Sequence, residues 1–193
     1  MKPKKTDAEL VAAAVRDPDQ FGELMERYEP KLARFVRRIT SFDEATVEDI
    51  LQEAFIKVYQ NLNDYDPSLS FSAWVYRIVH NEAVSHFRKT SRYNIVPLET
   101  DDEDSVNLIE ILADGTDIQA EFSKKSKNEQ VRKVLSMLSP KYREILVLKF
   151  LEELSYEEIS DVLHIPMGTV ATLIGRAKEQ FRMIISKNHI KFD

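Results

Sequence analysis

Residues 47–62 read VEDILQEAFIKVYQNL, residues 63–70 NDYDPSLS, and residues 71–89 FSAWVYRIVHNEAVSHFRK. Two helical patterns flank a short polar and aromatic loop. In the first, Val47, Ile50, Leu51, Ala54 and Val58 recur at helical spacing and predict a buried stripe. Thr46 stands where it can cap this helix, with Asp49 three residues on to close a capping box. Asp49, Gln52, Glu53 and Ile56 occupy positions i, i+3, i+4 and i+7 of another face, one the core does not need.

The second pattern carries the only Trp of the chain, Trp74, with Ile78 one turn on and Phe87 further along. Around them stand Tyr76, Arg77, His80, Asn81, His86, Arg88 and Lys89. Aromatic rings stack on unpaired bases, Asn hydrogen-bonds their edges, and Arg and Lys hold phosphates. Taken singly, Trp74 and Tyr76 are more often core residues than base platforms, and Asn81 fits an ordinary exposed position; the constellation is what favours nucleic acid.

The ordered series Asp49-x-x-Gln52-Glu53-x-Phe55-x-Lys57, then Phe71-x-x-Trp74-x-Tyr76-Arg77-Ile78-x-x-Asn81, resembles conserved region 2 of the extracytoplasmic-function (ECF) sigma factors. These are small promoter-specificity subunits of bacterial RNA polymerase. The resemblance implies that Asp49, Gln52, Glu53 and Ile56 dock on the coiled coil of the polymerase β′ subunit. It also implies that Asn81 and the loop Asn63–Ser70, with Tyr65, capture a flipped base of the melted −10 element. Trp74, Tyr76, Arg77, Arg88 and Lys89 would lie along the same DNA.

Composition sets the frame for this resemblance. The chain has 193 residues, enough for one large domain or two small ones, and it has no Cys. Disulfides and thiolate metal sites are therefore excluded. No apolar run approaches the roughly 18 residues of a membrane span. MKPKKTDAEL has basic residues but no apolar segment behind them, so a signal peptide is not expected. A soluble cytoplasmic protein is the expectation, and four Gly with no strand-like alternation point to an all-α fold.

The net charge of −6 argues against nucleic acid only on average. From Glu99 to Glu121 there are nine acidic and no basic residues, whereas from Phe122 onward 13 basic residues face 9 acidic ones. The acidic middle, residues 92–121, reads as a flexible linker in which only Asn107–Leu112 offers apolar content. By the resemblance, this linker threads the channels of the polymerase, β subunit included. An anionic strand suits a positively charged channel built for nucleic acid.

Before the central stretch, Thr6 or Asp7 is placed to cap a helix over Ala8–Arg16. Phe21, Leu24, Met25, Tyr28, Leu32, Phe35, Val36 and Ile39 then mark a helical apolar stripe with Arg and Lys on its outer side. Pro30 marks either a kink or a break into two shorter helices, and one kinked helix is the favoured reading. Ser41–Ala45 connects it to the Thr46 cap. Behind the linker, a helix over Lys125–Met137 turns Val131, Val134, Leu135 and Leu138 inward. Ser139 caps the next, with Pro140 at its first position and Lys141–Phe150 following.

Ser155 and Glu158 form a capping box for a further helix with Ile159, Val162 and Leu163 inward. After His164-Ile165-Pro166, Val170, Ile174, Ala177 and Phe181 line the last helix. This is a helix-turn-helix pattern, and Ser155–Arg182 resembles sigma region 4, which reads the −35 element. Two departures stand out. His164 replaces the usual turn glycine, and the outward residues Ala171, Thr172, Leu173 and Gly175 are poor in charge. Thr169, Thr172, Arg176 and Lys178 remain as −35 contacts, with Arg182 a further polar candidate, and Ala171 and Leu173 are able either to touch thymine methyls or to face a protein instead.

The expected architecture is thus all-α: a region 2 helical bundle over 1–91, an acidic linker over 92–121, and a region 4 helix-turn-helix domain over 122–193. The expected role is a sigma factor that binds RNA polymerase core and promoter DNA, with an anti-sigma factor as a further possible partner. A one-piece helix-turn-helix regulator with an N-terminal sensory or dimerisation domain is the alternative, and the paired region 2 motifs weigh against it. Neither P-loop, G-x-G-x-x-G nor H-E-x-x-H is present, and His80, His86, His164 and His189 are scattered. No enzymatic activity, metal or cofactor is expected.

Overall fold

The structure, a computed structural model, describes residues 5–90 and 124–188. The acidic stretch, including Asn107–Leu112, lies outside the described residues. Among those described, regular structure is entirely helical.

The front unit holds α1 (Asp7–Arg16), α2 (Phe21–Ile39), α3 (Glu44–Gln60) and α4 (Phe71–Thr90). Helix α1 starts on a capping box in which Thr6 accepts from the Glu9 N–H and Glu9 accepts from the Thr6 N–H. Asp7, in its first turn, accepts a 2.6 Å hydrogen bond from Arg27 and a 2.5 Å one from the Tyr28 hydroxyl. Burial and the Asp7 hydrogen bond push the Tyr28 phenol far above its usual range, so it stays a donor.

Helix α2 runs unbroken through Pro30, which sits with Glu26 on the exposed side. The carbonyl that loses its i+4 donor there has water within reach, which lowers the usual cost of about 3 kcal/mol. On the other side Phe21, Leu24, Tyr28, Leu32, Phe35 and Val36 are buried as their spacing predicts. Each such side chain contributes about 1.5–3 kcal/mol by leaving water.

The start of α3 corrects one expectation. Asp43, not Thr46, is the cap, and its carboxylate accepts from the Thr46 N–H at 2.9 Å. A carboxylate at this end also gains from the helix dipole, which a hydroxyl does not. Those hydrogen bonds, together with the charge of His86, hold the Asp43 carboxyl below its ordinary range. Val47, Ile50, Leu51, Ala54 and Val58 all face the core, joined by Phe55. Lys57 and Glu82 pair at 2.5 Å and tie α3 to α4.

The second unit contains α5 (Lys124–Met137), α6 (Pro140–Leu146), α7 (Tyr156–Leu163) and α8 (Met167–Lys187). Helices α5 and α6 both pack on α8. Ser139 takes the cap position of α6 but its side chain makes no capping bond, so Pro140 alone sets that start. Arg143 instead finishes the preceding helix: its guanidinium donates to the carbonyls of Leu135, Ser136 and Leu138 at 2.9, 2.9 and 3.3 Å.

Beyond Leu146 the chain continues as a wider π turn, Val147–Leu151, rather than as α-helix to Phe150. The Glu152 and Leu154 N–H groups reach back to the Val147 and Leu148 carbonyls, each at 3.0 Å, and Glu153 takes a left-handed φ of 57°. Ser155 and Glu158 form the capping box of α7 as read from sequence. His164 closes α7 at φ 51°, ψ 45°, a left-handed position held by a side chain where glycine is the usual choice.

Candidate nucleic-acid and partner-binding surfaces

One face of α3 is spent on the core and the other is not. Asp49, Gln52, Glu53 and Ile56 are all exposed, and Ile56 shows 50% of its surface. Because Asp43 caps the helix, Asp49 carries no capping duty. Tyr59 extends the strip by one turn, half-exposed while its ring edge meets Phe21 at 5.2 Å. Its value was hidden in the sequence because an aromatic at helical spacing reads as core.

On α4, Trp74, Arg77, Asn81 and Arg88 follow one another at spacings of three, four and seven, which places them along one side. Asn81, Arg88 and Lys89 are exposed, and Trp74 and Arg77 partly so. Tyr76 does not join them. It is 3% exposed and packs edge to face on Phe35, with centroids 5.1 Å apart. Phe87 is 56% exposed beside Arg88.

Tyr65 also differs from the expectation of a base-contacting ring. It is 8% exposed, with its ring against Phe71 at 5.2 Å and Trp74 at 5.4 Å. Its hydroxyl donates to the Leu69 carbonyl at 2.5 Å. The loop thereby exposes another residue at its tip: Leu69 shows 59% of its surface. A leucine in an otherwise polar loop was the available signal for it.

On α8, Thr169, Thr172 and Arg176 are exposed at i, i+3 and i+7. The Thr172 hydroxyl donates back to the Gly168 carbonyl at 2.9 Å and keeps its lone pairs for a ligand. Lys178 stands apart, partly covered, with its ammonium 5.2 Å from the Phe150 ring centroid. Ala171 and Gly175 are exposed, but Leu173 is 5% exposed and belongs to the core with Val170, Ile174, Ala177 and Phe181. Its expected contact with a thymine methyl is therefore withdrawn. Among the described residues no group of His, Asp and Glu is arranged to hold a metal ion, and no helix is long and apolar enough to cross a membrane.

Comparison with known proteins places these surfaces in a family context. Residues 24–93 match the family model described as Sigma-70 region 2, and residues 128–181 match Sigma-70, region 4. The chain is 36% identical over 169 residues to the ECF RNA polymerase sigma factor SigW of Bacillus subtilis (strain 168), covering 86% of this chain and 89% of the relative. It is 29% identical over 188 residues to the ECF RNA polymerase sigma-E factor of Escherichia coli (strain K12), covering 93% and 94%. Among solved structures it resembles CnrH in complex with the cytosolic domain of CnrY, with a TM-score of 0.66 and 25% identity over 94% of this chain and 97% of that one. The fold is also that of the sigma factor RpoE bound to the anti-sigma factor NepR from Bartonella quintana, with a TM-score of 0.65 and 20% identity over 86% and 96%.

Proposed function

The chain belongs to the sigma-70 family, among its extracytoplasmic-function members, and from that membership as an RNA polymerase-binding, promoter-specific initiation factor we propose a division of labour among its surfaces. The exposed strip Asp49, Gln52, Glu53 and Ile56 docks on the polymerase core, on the β′ coiled coil. Two carboxylates and an amide give hydrogen bonds and orientation there, and Ile56 supplies the apolar area that charged groups alone lack. The observation that carries this assignment is that Asp49, Gln52, Glu53 and Ile56 are exposed together while Val47, Ile50, Leu51, Ala54, Phe55 and Val58 of the same helix are buried.

The α4 side bearing Trp74, Arg77, Asn81, Arg88 and Lys89 takes the −10 element. Arg77, Arg88 and Lys89 neutralise phosphates, and Asn81 with the loop Asn63–Ser70 holds one unpaired base. Tyr76 serves this site as packing, and Tyr65 as support. Thr169, Thr172 and Arg176 meet the −35 duplex, with Arg176 the one side chain able to grip a guanine with two hydrogen bonds. Lys178 adds charge at the margin. The working boundaries are 1–91, 92–121 and 122–193.

The protein works in the cytoplasm, where its polymerase is, and performs no chemistry itself; phosphodiester formation belongs to the core enzyme. An anti-sigma factor is part of the reading, since the similarly folded RpoE is seen in complex with the anti-sigma factor NepR, and CnrH with the cytosolic domain of CnrY. The test is to add the purified chain to core polymerase, supply genomic DNA and sequence the transcripts. Discrete start sites with a shared upstream sequence are expected. A chain that neither co-migrates with core nor yields such sites defeats the proposal.

A further inference from the structure

The loop Asn63–Ser70 is built more firmly than a polar surface loop needs to be. The Asp66 carboxylate accepts from the Ser68 N–H at 2.9 Å and the Asp66 carbonyl accepts from the Leu69 N–H at 3.0 Å, which folds Asp66-Pro67-Ser68-Leu69 into a turn. The Tyr65 hydroxyl then closes the ring from inside by donating to the Leu69 carbonyl.

Tyr65 is itself held by a train of contacts that reaches the start of the chain. Its ring edge meets Phe71 at 86° between planes, and Phe71 meets Tyr28 at a centroid distance of 5.5 Å. Tyr28 donates to Asp7, which also receives Arg27, and Arg27 reaches the Lys5 carbonyl at 2.6 Å. Helix α1 packs on the short turn Leu62–Asp64 that begins the loop. Much of this train, α1 and its Asp7, precedes residue 24, where the region 2 match begins. Burial raises the Tyr65 phenol pKa above its ordinary value, which already lies well above neutral pH, so the hydroxyl remains a donor there.

We propose that Tyr65 is a positioning residue that fixes the placement of Leu69 and Ser68 at the loop tip, and so sets which unpaired base the loop accepts. This rests on the assignment of the loop to base capture made above. The physical point is discrimination. A base pocket rejects the wrong base only if its polar and apolar groups are already in place when the base arrives, because a loop that adjusts to each base accepts them all. One hydrogen bond to a backbone carbonyl is a direct means of keeping that shape.

The experiment uses full-length protein with core polymerase on a promoter library randomised through the −10 element, with start sites and upstream sequences read together. Tyr65→Phe keeps the ring in its cluster and removes only the hydroxyl. It is expected to flatten the base preference at one −10 position by about fivefold, with core affinity unchanged. A purely structural hydroxyl would instead lower transcript yield at every sequence and leave the preference intact, and that result overturns the proposal. Leu69→Ala is the companion variant. If it leaves the preference untouched, the loop captures no base and the earlier assignment falls together with this one. If Leu69→Ala changes the preference while Tyr65→Phe does not, the assignment stands and positioning by Tyr65 is wrong.

Discussion

Tyr76 and Phe35 meet edge to face with their centroids 5.1 Å apart, so a residue in the middle of the α4 motif is packed into the core. Tyr76→Ala is expected to destabilise the front unit by about 3–5 kcal/mol through the cavity it leaves. Urea unfolding would show this, and core binding and promoter opening would fall together. A loss of opening alone, with unchanged stability, would return Tyr76 to the DNA surface.

Asn81 is the contrasting case on the same helix. It is exposed, so Asn81→Ala is expected to change stability by no more than about 0.5 kcal/mol. Core affinity should stay at the wild-type level while permanganate reactivity of the melted region drops. An equal drop in both would mean that Asn81 supports structure.

For the α3 strip, the double substitution Gln52→Ala with Glu53→Ala is expected to weaken core binding about tenfold, roughly 1.4 kcal/mol. The thermal melting curve should not move, because both side chains project from the exposed face. Unchanged affinity in a fluorescence titration would place the docking surface elsewhere.

His164 holds a left-handed φ that costs a side-chain-bearing residue about 1 kcal/mol or more. His164→Gly relieves it, while glycine's extra freedom in the unfolded chain takes back part of the gain. The net expectation is a stabilisation of up to about 1 kcal/mol by calorimetry. A lower melting temperature would mean that the imidazole itself contributes to the turn.

Tyr28 gives the alkaline limit of the front unit. Its folded pKa is raised, mainly by burial and then by Asp7, so the native state keeps a proton that the unfolded state loses above about pH 10. Its contribution is whole below that pH and declines as pH climbs toward the folded value. Stability measured from pH 9 to 11 should therefore fall more steeply for the wild type than for Tyr28→Phe. Parallel curves would show that the phenol ionises as freely folded as unfolded.

Much of this was legible in the residues. The α3 stripe and the Ser155–Glu158 capping box each follow from a local rule that tertiary packing reinforced, and the resemblance to region 4 marked His164 as the turn position. The misses have physical causes. Asp43 and Thr46 both suit a helix start, and only the backbone geometry chooses between them. Tyr76 and Tyr65 carry the same rings that a base platform needs, so composition cannot say which way they face. Leu173 lies at i+3 from Val170 and i−4 from Ala177, a core register obscured by the motif it sits in. The π turn at Val147–Leu151 leaves no mark in residue type at all.

The outward face of α8 is sparsely furnished, and Gly175 leaves open space on it: a Cβ built there meets nothing within 4 Å. A glycine in the middle of a helix forgoes about 1 kcal/mol against alanine without any steric reason here. A side chain can thus start from this position without meeting its neighbours at Cβ. If the proposed −35 assignment holds, arginine or asparagine introduced at Gly175 is expected to widen the set of upstream sequences this head grips, which would make the position a handle for retargeting.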